Sequence, residues 1–163
     1  MKDEEKILFL ENNLTRLLSE IHAAEARVRT LSAISIAMLG VLAALAPVKE
    51  PSTILGLTFW SMASLFLVGS LLMTTFASFP RTKVHRDSII YFRGICTKDM
   101  KEYINDVKKF TMEEYIDDLT RQCHRSARIA TRKFVWLQRA MMAIYLCILP
   151  WAGAIYIFYG CKI

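Results

Sequence analysis

Residues 54–79, ILGLTFWSMASLFLVGSLLMTTFASF, decide the fold, because they contain no charged side chain and would be apolar on every side of a helix. A helix that faces water needs a polar side, which this stretch lacks. A hydrocarbon core of roughly 30 Å takes about 20 residues of helix, since every backbone polar group in lipid must bond within its own segment. We therefore predict a transmembrane helix over residues 54–79.

Two further stretches are free of charge over similar lengths. Thr30 to Val48 covers 19 residues and Ala140 to Cys161 covers 22. For the first of them, which Pro47 ends early, the alternative is a buried core helix of a soluble bundle. We predict an all-α integral membrane protein with three transmembrane helices, over residues 30–48, 54–79 and 140–159.

The basic residues outside these runs predict the orientation. Between Arg81 and Arg139 the chain has 14 of its 21 lysines and arginines, whereas the link between the first two runs has only Lys49 and Glu50 as charged residues. Basic flanks of transmembrane helices stay in the cytoplasm. We therefore expect residues 1–29 and 80–139 to be cytoplasmic, with the Lys49–Glu50 turn on the far side.

Apolar residues before the first run recur at steps of three and four, as in a coiled-coil seam. The set is Ile7, Leu10, Leu14, Leu17, Ile21, Ala24, Val28 and Leu31. No Gly or Pro interrupts it, so we predict one helix from about Asp3 to Ala46 whose first part, residues 1–29, is a cytoplasmic stalk. Its seam requires a partner, either another copy of the chain or a helix of residues 80–139. The candidate residues for self-association are Ile7, Leu10, Leu14, Leu17 and Ile21.

The region 80–139 is predicted to be a helical unit. Ser88 to Phe92 is too short for a span and suits a brief strand or an extended segment. Thr97 is expected to open an amphipathic helix. The apolar face of that helix is formed by Met100, Tyr103, Ile104 and Val107.

A second long helix is predicted to begin at Thr111. Thr111 and Glu114 have the spacing of a capping box, and Phe110 with Tyr115 has the spacing of a hydrophobic staple. Apolar residues continue from there into the third run without a strong stop, although Pro150 lies within it. This helix therefore extends from the cytoplasm into the membrane.

Polar and aromatic residues of the spans favour packing and anchoring over chemistry. Hydroxylated and small residues of the second span permit close helix contacts or could line a pore. They are Ser64, Gly69, Ser70, Thr74, Thr75 and Ser78. Trp60, Trp136 and Trp151 are expected in the interfacial belts. The basic residues just before the third span suit contact with lipid headgroups, and they are Arg132, Lys133 and Arg139.

Enzyme chemistry is not expected. The chain has no Gly-rich phosphate loop and no hydrolase or metalloprotease motif, and its three runs lack ionisable residues of the kind found in proton relays. Its cysteines and histidines lack the spacings of metal ligands. We expect no catalytic residues, no metal and no cofactor.

The strongest polar feature is a row of arginines on the second long helix. Arg121, Arg125, Arg128 and Arg132 follow one another at steps of three and four, which places them along one helical face. Guanidinium groups bind phosphate through paired hydrogen bonds, so the row suits a nucleotide phosphate or a lipid headgroup. The alternative is a solvated face whose arginines pair with acidic neighbours such as Asp117 and Asp118.

Four segments resemble the membrane effector family of the Pycsar anti-phage systems, the PycTM-like proteins. Ala24-Glu25-Ala26-Arg27 resembles the family's lead into the first span, with Glu and Arg where Asp and Lys are expected. Ile90 to Ile95 resembles its aromatic segment before a glycine, and Thr111 to Tyr115 one of its helix starts. Gln122 to Leu137 is the best match among them, and the resemblance extends over most of the chain from about Ala23.

The resemblance implies a bacterial inner-membrane protein that a cyclic nucleotide triggers during infection and that then impairs the membrane. Its expected partners are the lipid bilayer, the cyclic nucleotide and further copies of itself, without nucleic acid. The hypothesised ligand residues are Arg93, Arg121, Arg125 and Arg128. The chain has no recognisable cyclic-nucleotide-binding β-domain, so the ligand would bind among cytoplasmic helices or between copies. The alternative function is a structural membrane adaptor that docks a protein partner through its heptad helix.

Overall fold

The computed structural model describes residues 2–46, 54–79, 95–96 and 98–160. Within these ranges the regular elements are helices, which confirms the all-α class. They are α1 (Asp3–Ala44), α2 (Ile54–Ser78), α3 (Met100–Lys109) and α4 (Met112–Gly160). Predictions for the Lys49–Glu50 turn, the Ser88–Phe92 segment, Arg93 and Thr97 lie outside the described residues.

Helices α1, α2 and α4 are long and apolar enough to cross a membrane, so the prediction of three transmembrane helices is confirmed for the part of the chain that the structure describes. The points at which each helix enters and leaves the bilayer, and the cytoplasmic placement of the rest, stay predictions.

Helix α1 is 42 residues long and ends at Ala44, two residues before the predicted end. Asp3, Glu4 and Glu5 lie in its first turn, where negative charge interacts favourably with the helix dipole. At its other end the indole Nε1 of Trp60 donates a hydrogen bond to the carbonyl oxygen of Leu42 at 3.0 Å. That carbonyl is among the last four of the helix, which lack an intrahelical donor.

Helix α3 begins at Met100, with Asp99 in an extended conformation as its N-cap. The capping box at the start of α4 is confirmed. The backbone N–H of Thr111 donates to a carboxylate oxygen of Glu114 at 2.8 Å, and the backbone N–H of Glu114 donates to the Thr111 hydroxyl at 3.4 Å. The Phe110 and Tyr115 rings meet edge to face, with centroids 6.3 Å apart, as a hydrophobic staple requires.

The chain divides into two compact units. The polar unit comprises Met1–His22 and Pro80–Thr131, and the apolar unit comprises Ala23–Phe79 and Arg132–Ile163. Helices α1 and α4 each contribute residues to both.

Contacts within the apolar unit fix the directions of its three helices. Ser35 and Leu42 of α1 contact Ser70 and Trp60 of α2 respectively, so α1 and α2 are antiparallel. Val28 packs with Leu137, and the carbonyl of Met38 accepts a hydrogen bond from Trp151, so α1 and α4 are parallel.

Small and branched apolar residues form the core of the apolar unit. One buried cluster combines all three helices, and its members are Leu42, Ala63, Leu67, Cys147 and Ala154. The thiol of Cys147 donates to the carbonyl oxygen of Ala63 at 3.5 Å. A second cluster joins Val28, Ala77 and Leu137.

Candidate functional site

The arginine row lies on one face of α4, because that helix is continuous through residues 121–132. A guanidinium nitrogen of Arg121 is 2.7 Å from a carboxylate oxygen of Asp117, one turn earlier, and both side chains are about 60% exposed. This pairing is the one that the alternative interpretation predicted for Arg121. An exposed pair of this kind contributes about 0.3–0.5 kcal/mol, so Asp117 by itself holds Arg121 only weakly.

The other candidate ligand residues differ in their surroundings. Arg125 is half-buried and already has an interaction partner, whereas Arg128 is exposed. Arg93 lies outside the described residues. The structure therefore places Arg121, Arg125 and Arg128 on the same helical face, and their binding of a ligand stays a prediction.

Gln122 is a polar residue beside this row that the sequence did not single out as a ligand residue. Its side-chain nitrogen is buried and has no hydrogen-bond partner among the residues that the structure describes. On the helix it lies between the buried side, marked by Leu119 and Cys123, and the face of Arg125. A buried donor without a partner costs about 1–3 kcal/mol. The only sequence signal for it was a polar residue at the edge of the apolar face.

The predicted self-association residues form the inner side of α1 in the polar unit. Ile7, Leu10, Leu14, Leu17 and Ile21 are all half-buried within a single copy of the chain. The thiol of Cys123 donates to the carbonyl oxygen of Leu10 at 3.4 Å. Part of the seam thus contacts α4 of the same copy, which was one of the two partners that the sequence allowed. Association of copies through these residues stays a prediction.

A second contact between α1 and α4 in the polar unit changes the acidity of a tyrosine. The hydroxyl of Tyr115 donates to a carboxylate oxygen of Glu11 at 2.6 Å. This hydrogen bond, with smaller contributions from desolvation and the negative charge of Glu11, raises the pKa of Tyr115 above its ordinary value. Burial raises the pKa of the Cys123 thiol, so this side chain packs as an unreactive neutral group.

Charged and aromatic residues line the edge of the apolar unit next to the uncharged runs. The ammonium group of Lys133 lies 2.6 Å from a carboxylate oxygen of Glu25. Arg139 lies over the ring of Trp136, at 5.1 Å from its centroid. Lys133 therefore forms an ion pair with the neighbouring helix, and its expected contact with lipid headgroups stays a prediction.

Hydroxyl groups within the apolar unit bond across helices. Ser70 donates to the carbonyl oxygen of Ala140 at 3.3 Å and accepts from Ser35 at 3.2 Å, while Ser32 donates to Thr74 at 3.0 Å. Ser70 and Thr74 are fully buried in these contacts. Of the two uses predicted for them, they serve helix packing within one copy.

Two of the predicted interfacial tryptophans have a structural role as well. Trp60 and Trp151 donate hydrogen bonds from their indole nitrogens to carbonyl oxygens of α1, at 3.0 Å and 3.2 Å. Both side chains are half-buried against the core of the apolar unit. They therefore hold α2 and α4 against α1.

Comparison with protein families matches residues 9–160 to the family model described as the PycTM Pycsar effector protein domain. This range contains α2, α3 and α4 completely and most of α1. No curated protein and no solved structure matches the chain.

Proposed function

Because this chain belongs to the PycTM family of Pycsar effectors, we propose that it is gated by a cyclic nucleotide and impairs the integrity of the bacterial inner membrane. As a Pycsar effector with three helices apolar enough to span a bilayer, it is a membrane effector of anti-phage cyclic-nucleotide signalling. The family match over residues 9–160 carries the proposal. The gating and the damage to the membrane are the proposed steps.

The ligand site is proposed to lie on the polar face of α4. Arg121, Arg125 and Arg128 would bind the cyclic phosphate, with Arg93 as a further candidate. The weak Arg121–Asp117 pair supports this role, since its carboxylate occupies a position that a phosphate oxygen can take. The buried nitrogen of Gln122 would donate to an acceptor of the same ligand, which would relieve its missing hydrogen bond.

The membrane action is proposed to require several copies. The core of the apolar unit is filled by Leu42, Ala63, Leu67 and neighbouring side chains, and its buried hydroxyls are bonded to one another or to carbonyls. A path for ions would then form between copies and not through one. Ile7, Leu10, Leu14, Leu17 and Ile21 remain the proposed contribution of the heptad helix to this assembly.

The coupling between the ligand and the membrane is proposed to use α1 and α4, which contribute residues to both units. A ligand that binds one arrangement of these helices more tightly would shift a pre-existing equilibrium towards it. The amino terminus is proposed to be cytoplasmic, where nucleotides are made. The protein would act without catalytic chemistry of its own.

Membrane potential in living cells tests the proposal. The protein is produced with and without a cyclase that makes cyclic mononucleotides, and its presence in the membrane is checked in every sample. We expect depolarisation only when the nucleotide is made. Depolarisation should be lost in the Arg121→Gln/Arg125→Gln variant and retained in the matched variant Arg16→Gln/Arg29→Gln, which loses the same charge from exposed positions of α1.

An unchanged potential with every nucleotide, in cells whose membranes contain the protein, would refute the gating and favour the adaptor. Nucleotide-dependent depolarisation that survives Arg121→Gln/Arg125→Gln would refute the arginine site while leaving the effector function in place.

A further inference from the structure

Helix α3 leaves most of its predicted apolar face exposed, because of the four residues expected to form that face only Tyr103 packs inward. Tyr103 and Asp106 are half-buried, and Asp106 forms an ion pair with Lys98 at 2.7 Å. The apolar stripe is far more exposed, with Met100 at 74%, Ile104 at 44% and Val107 at 48% of their full surface. Burial of apolar surface is the main driving force of packing, so such a stripe indicates an interaction surface.

A second apolar patch lies near the start of α1. Leu8 and Phe9 are each 61% exposed. Glu4 and Glu5, in the preceding turn, are exposed as well. Glu5 and Leu8 are three positions apart, and Glu5 and Phe9 are four apart, so the carboxylate and both apolar side chains share one face of the helix.

The exposed charges beside the two patches include groups of opposite sign, since Lys6 near the α1 patch is paired with Asp3, and Glu4 and Glu5 are exposed there. Lys101 and Lys108 are exposed and follow Met100 and Val107 directly, so that they border one side of the α3 stripe. Two α3 stripes in antiparallel contact would bring these lysines together, which is unfavourable. The acidic patch on α1 offers both an apolar surface and carboxylates for the lysines.

We propose that the α3 stripe of one copy (Met100, Ile104 and Val107) docks on the patch of Leu8 and Phe9 in a second copy. Two different surfaces meet in this contact, so it can join more than two chains. This inference rests on the proposed function, which requires an assembly of several copies. The contact would contribute to that assembly through a surface distinct from the heptad residues.

Membrane anchorage favours another copy as the occupant. Copies confined to one bilayer in one orientation meet at a high effective concentration, so a modest patch is sufficient. The lipid surface is a less suitable occupant, because α3 ends just before Met112, far along α4 from the start of the predicted third span at Ala140. Ala140 lies 28 positions after Met112, and at 1.5 Å per residue this stretch of α4 is about 42 Å long.

Disulfide cross-linking in the native membrane tests the contact. Two differently tagged copies are produced together in a background without the native cysteines, one with Phe9→Cys and the other with Ile104→Cys. We expect a mixed disulfide dimer, at least tenfold more abundant than with the control Asn105→Cys, which is exposed on another face of α3. Lys101→Glu/Lys108→Glu should abolish it, and Glu4→Lys/Glu5→Lys in the other copy should restore it.

Absence of the mixed dimer while both copies are in the membrane would overturn the proposal, as would cross-linking only between two Ile104→Cys copies. A polarity-sensitive dye attached to the cysteine of Ile104→Cys tests the alternative occupant, the lipid surface. A blue shift that requires vesicles of anionic phospholipid, without any dimer, would assign the stripe to the lipid surface. No nucleotide is used in this assay, so its outcome and that of the gating test are independent.

Discussion

The Lys133 ammonium group is held 2.6 Å from the Glu25 carboxylate, which ties α4 to α1 at the charged edge of the apolar unit. The Lys133 side chain is 13% exposed, whereas that of Glu25 is 47% exposed. The lysine has therefore given up most of its hydration, and the carboxylate supplies its compensation. The Arg27 guanidinium, 6.0 Å from the centre of the Phe134 ring, adds a second contact between the same helices.

Removal of this carboxylate should destabilise the apolar unit. We expect Glu25→Ala to lower the free energy of unfolding by about 1–2 kcal/mol, a value reduced from that of a fully buried pair because Glu25 is half exposed. Thermal unfolding in a single detergent measures the effect, with the exposed Glu20→Ala as the control. Exchange of the two charges, Glu25→Lys with Lys133→Glu, should recover part of the loss. Equal melting temperatures for Glu25→Ala and Glu20→Ala would contradict this expectation.

Ser70 should be the most sensitive hydroxyl of α2, because it bonds to both neighbouring helices. Hydrogen bonds between transmembrane helices contribute about 0.6 kcal/mol on average and at most about 1.7, so Ser70→Ala should lower stability by about 1 kcal/mol. Ser61→Ala is the matched control, since Ser61 is exposed and donates to the Thr58 carbonyl within its own helix. Unfolding of the two variants in the same detergent measures how much stability each substitution removes. A larger effect of Ser61→Ala would show that the packing contacts are not those of Ser70.

Gly153 lies against the Phe59 ring, where a larger side chain has no room. A Cβ atom at Gly153 would be 3.1 Å from the nearest ring carbon, whereas one at Gly40 would have no described atom beyond its own helix backbone within 4 Å. Gly153→Val should therefore lower stability by about 1–3 kcal/mol through overpacking, and Gly40→Val should have little effect. Phe59→Leu should partly rescue Gly153→Val by creating space, as measured by melting temperature. Failure of this rescue would refute the steric explanation.

Much of the helical architecture could be predicted because its determinants are local in sequence. The uncharged runs predicted the three membrane helices, and Thr111 with Glu114 predicted the start of α4 within one residue. Side-chain contacts between segments that are far apart in the sequence could not be predicted from local patterns. The Lys133–Glu25 pair depends on the register between α1 and α4, which neither sequence segment contains by itself.

The candidate site was predicted only in part for the same reason. Helical spacing correctly placed Arg121, Arg125 and Arg128 on one face, since that requires only a continuous helix. The buried nitrogen of Gln122 depends on what packs beside it. The outward stripe of α3 was the least predictable feature, because an apolar face usually indicates the side that packs inward, and here the Lys98–Asp106 pair lies on the inner side.

The Tyr115–Glu11 hydrogen bond should make the stability of the polar unit depend on alkaline pH. Because the folded-state pKa of Tyr115 is raised above the ordinary value of 10.0, its contribution is complete below that value and is lost as pH rises through the higher folded-state pKa. The stability advantage of the natural protein over Tyr115→Phe should thus be constant between about pH 7 and 9 and shrink above about pH 10.

Phenolate absorbance gives the direct readout, since Tyr115→Phe should remove a tyrosine that ionises later than the ordinary ones. Glu11→Ala is the sharper variant, because it removes both the hydrogen-bond acceptor, which is the larger cause of the shift, and the negative charge that opposes phenolate formation. It should therefore return the pKa of Tyr115 towards its ordinary value, whereas Glu11→Gln, whose amide oxygen still accepts the hydrogen bond, should have a smaller effect. If Glu11→Ala left the alkaline titration unchanged, Glu11 would not be the group that holds the Tyr115 proton.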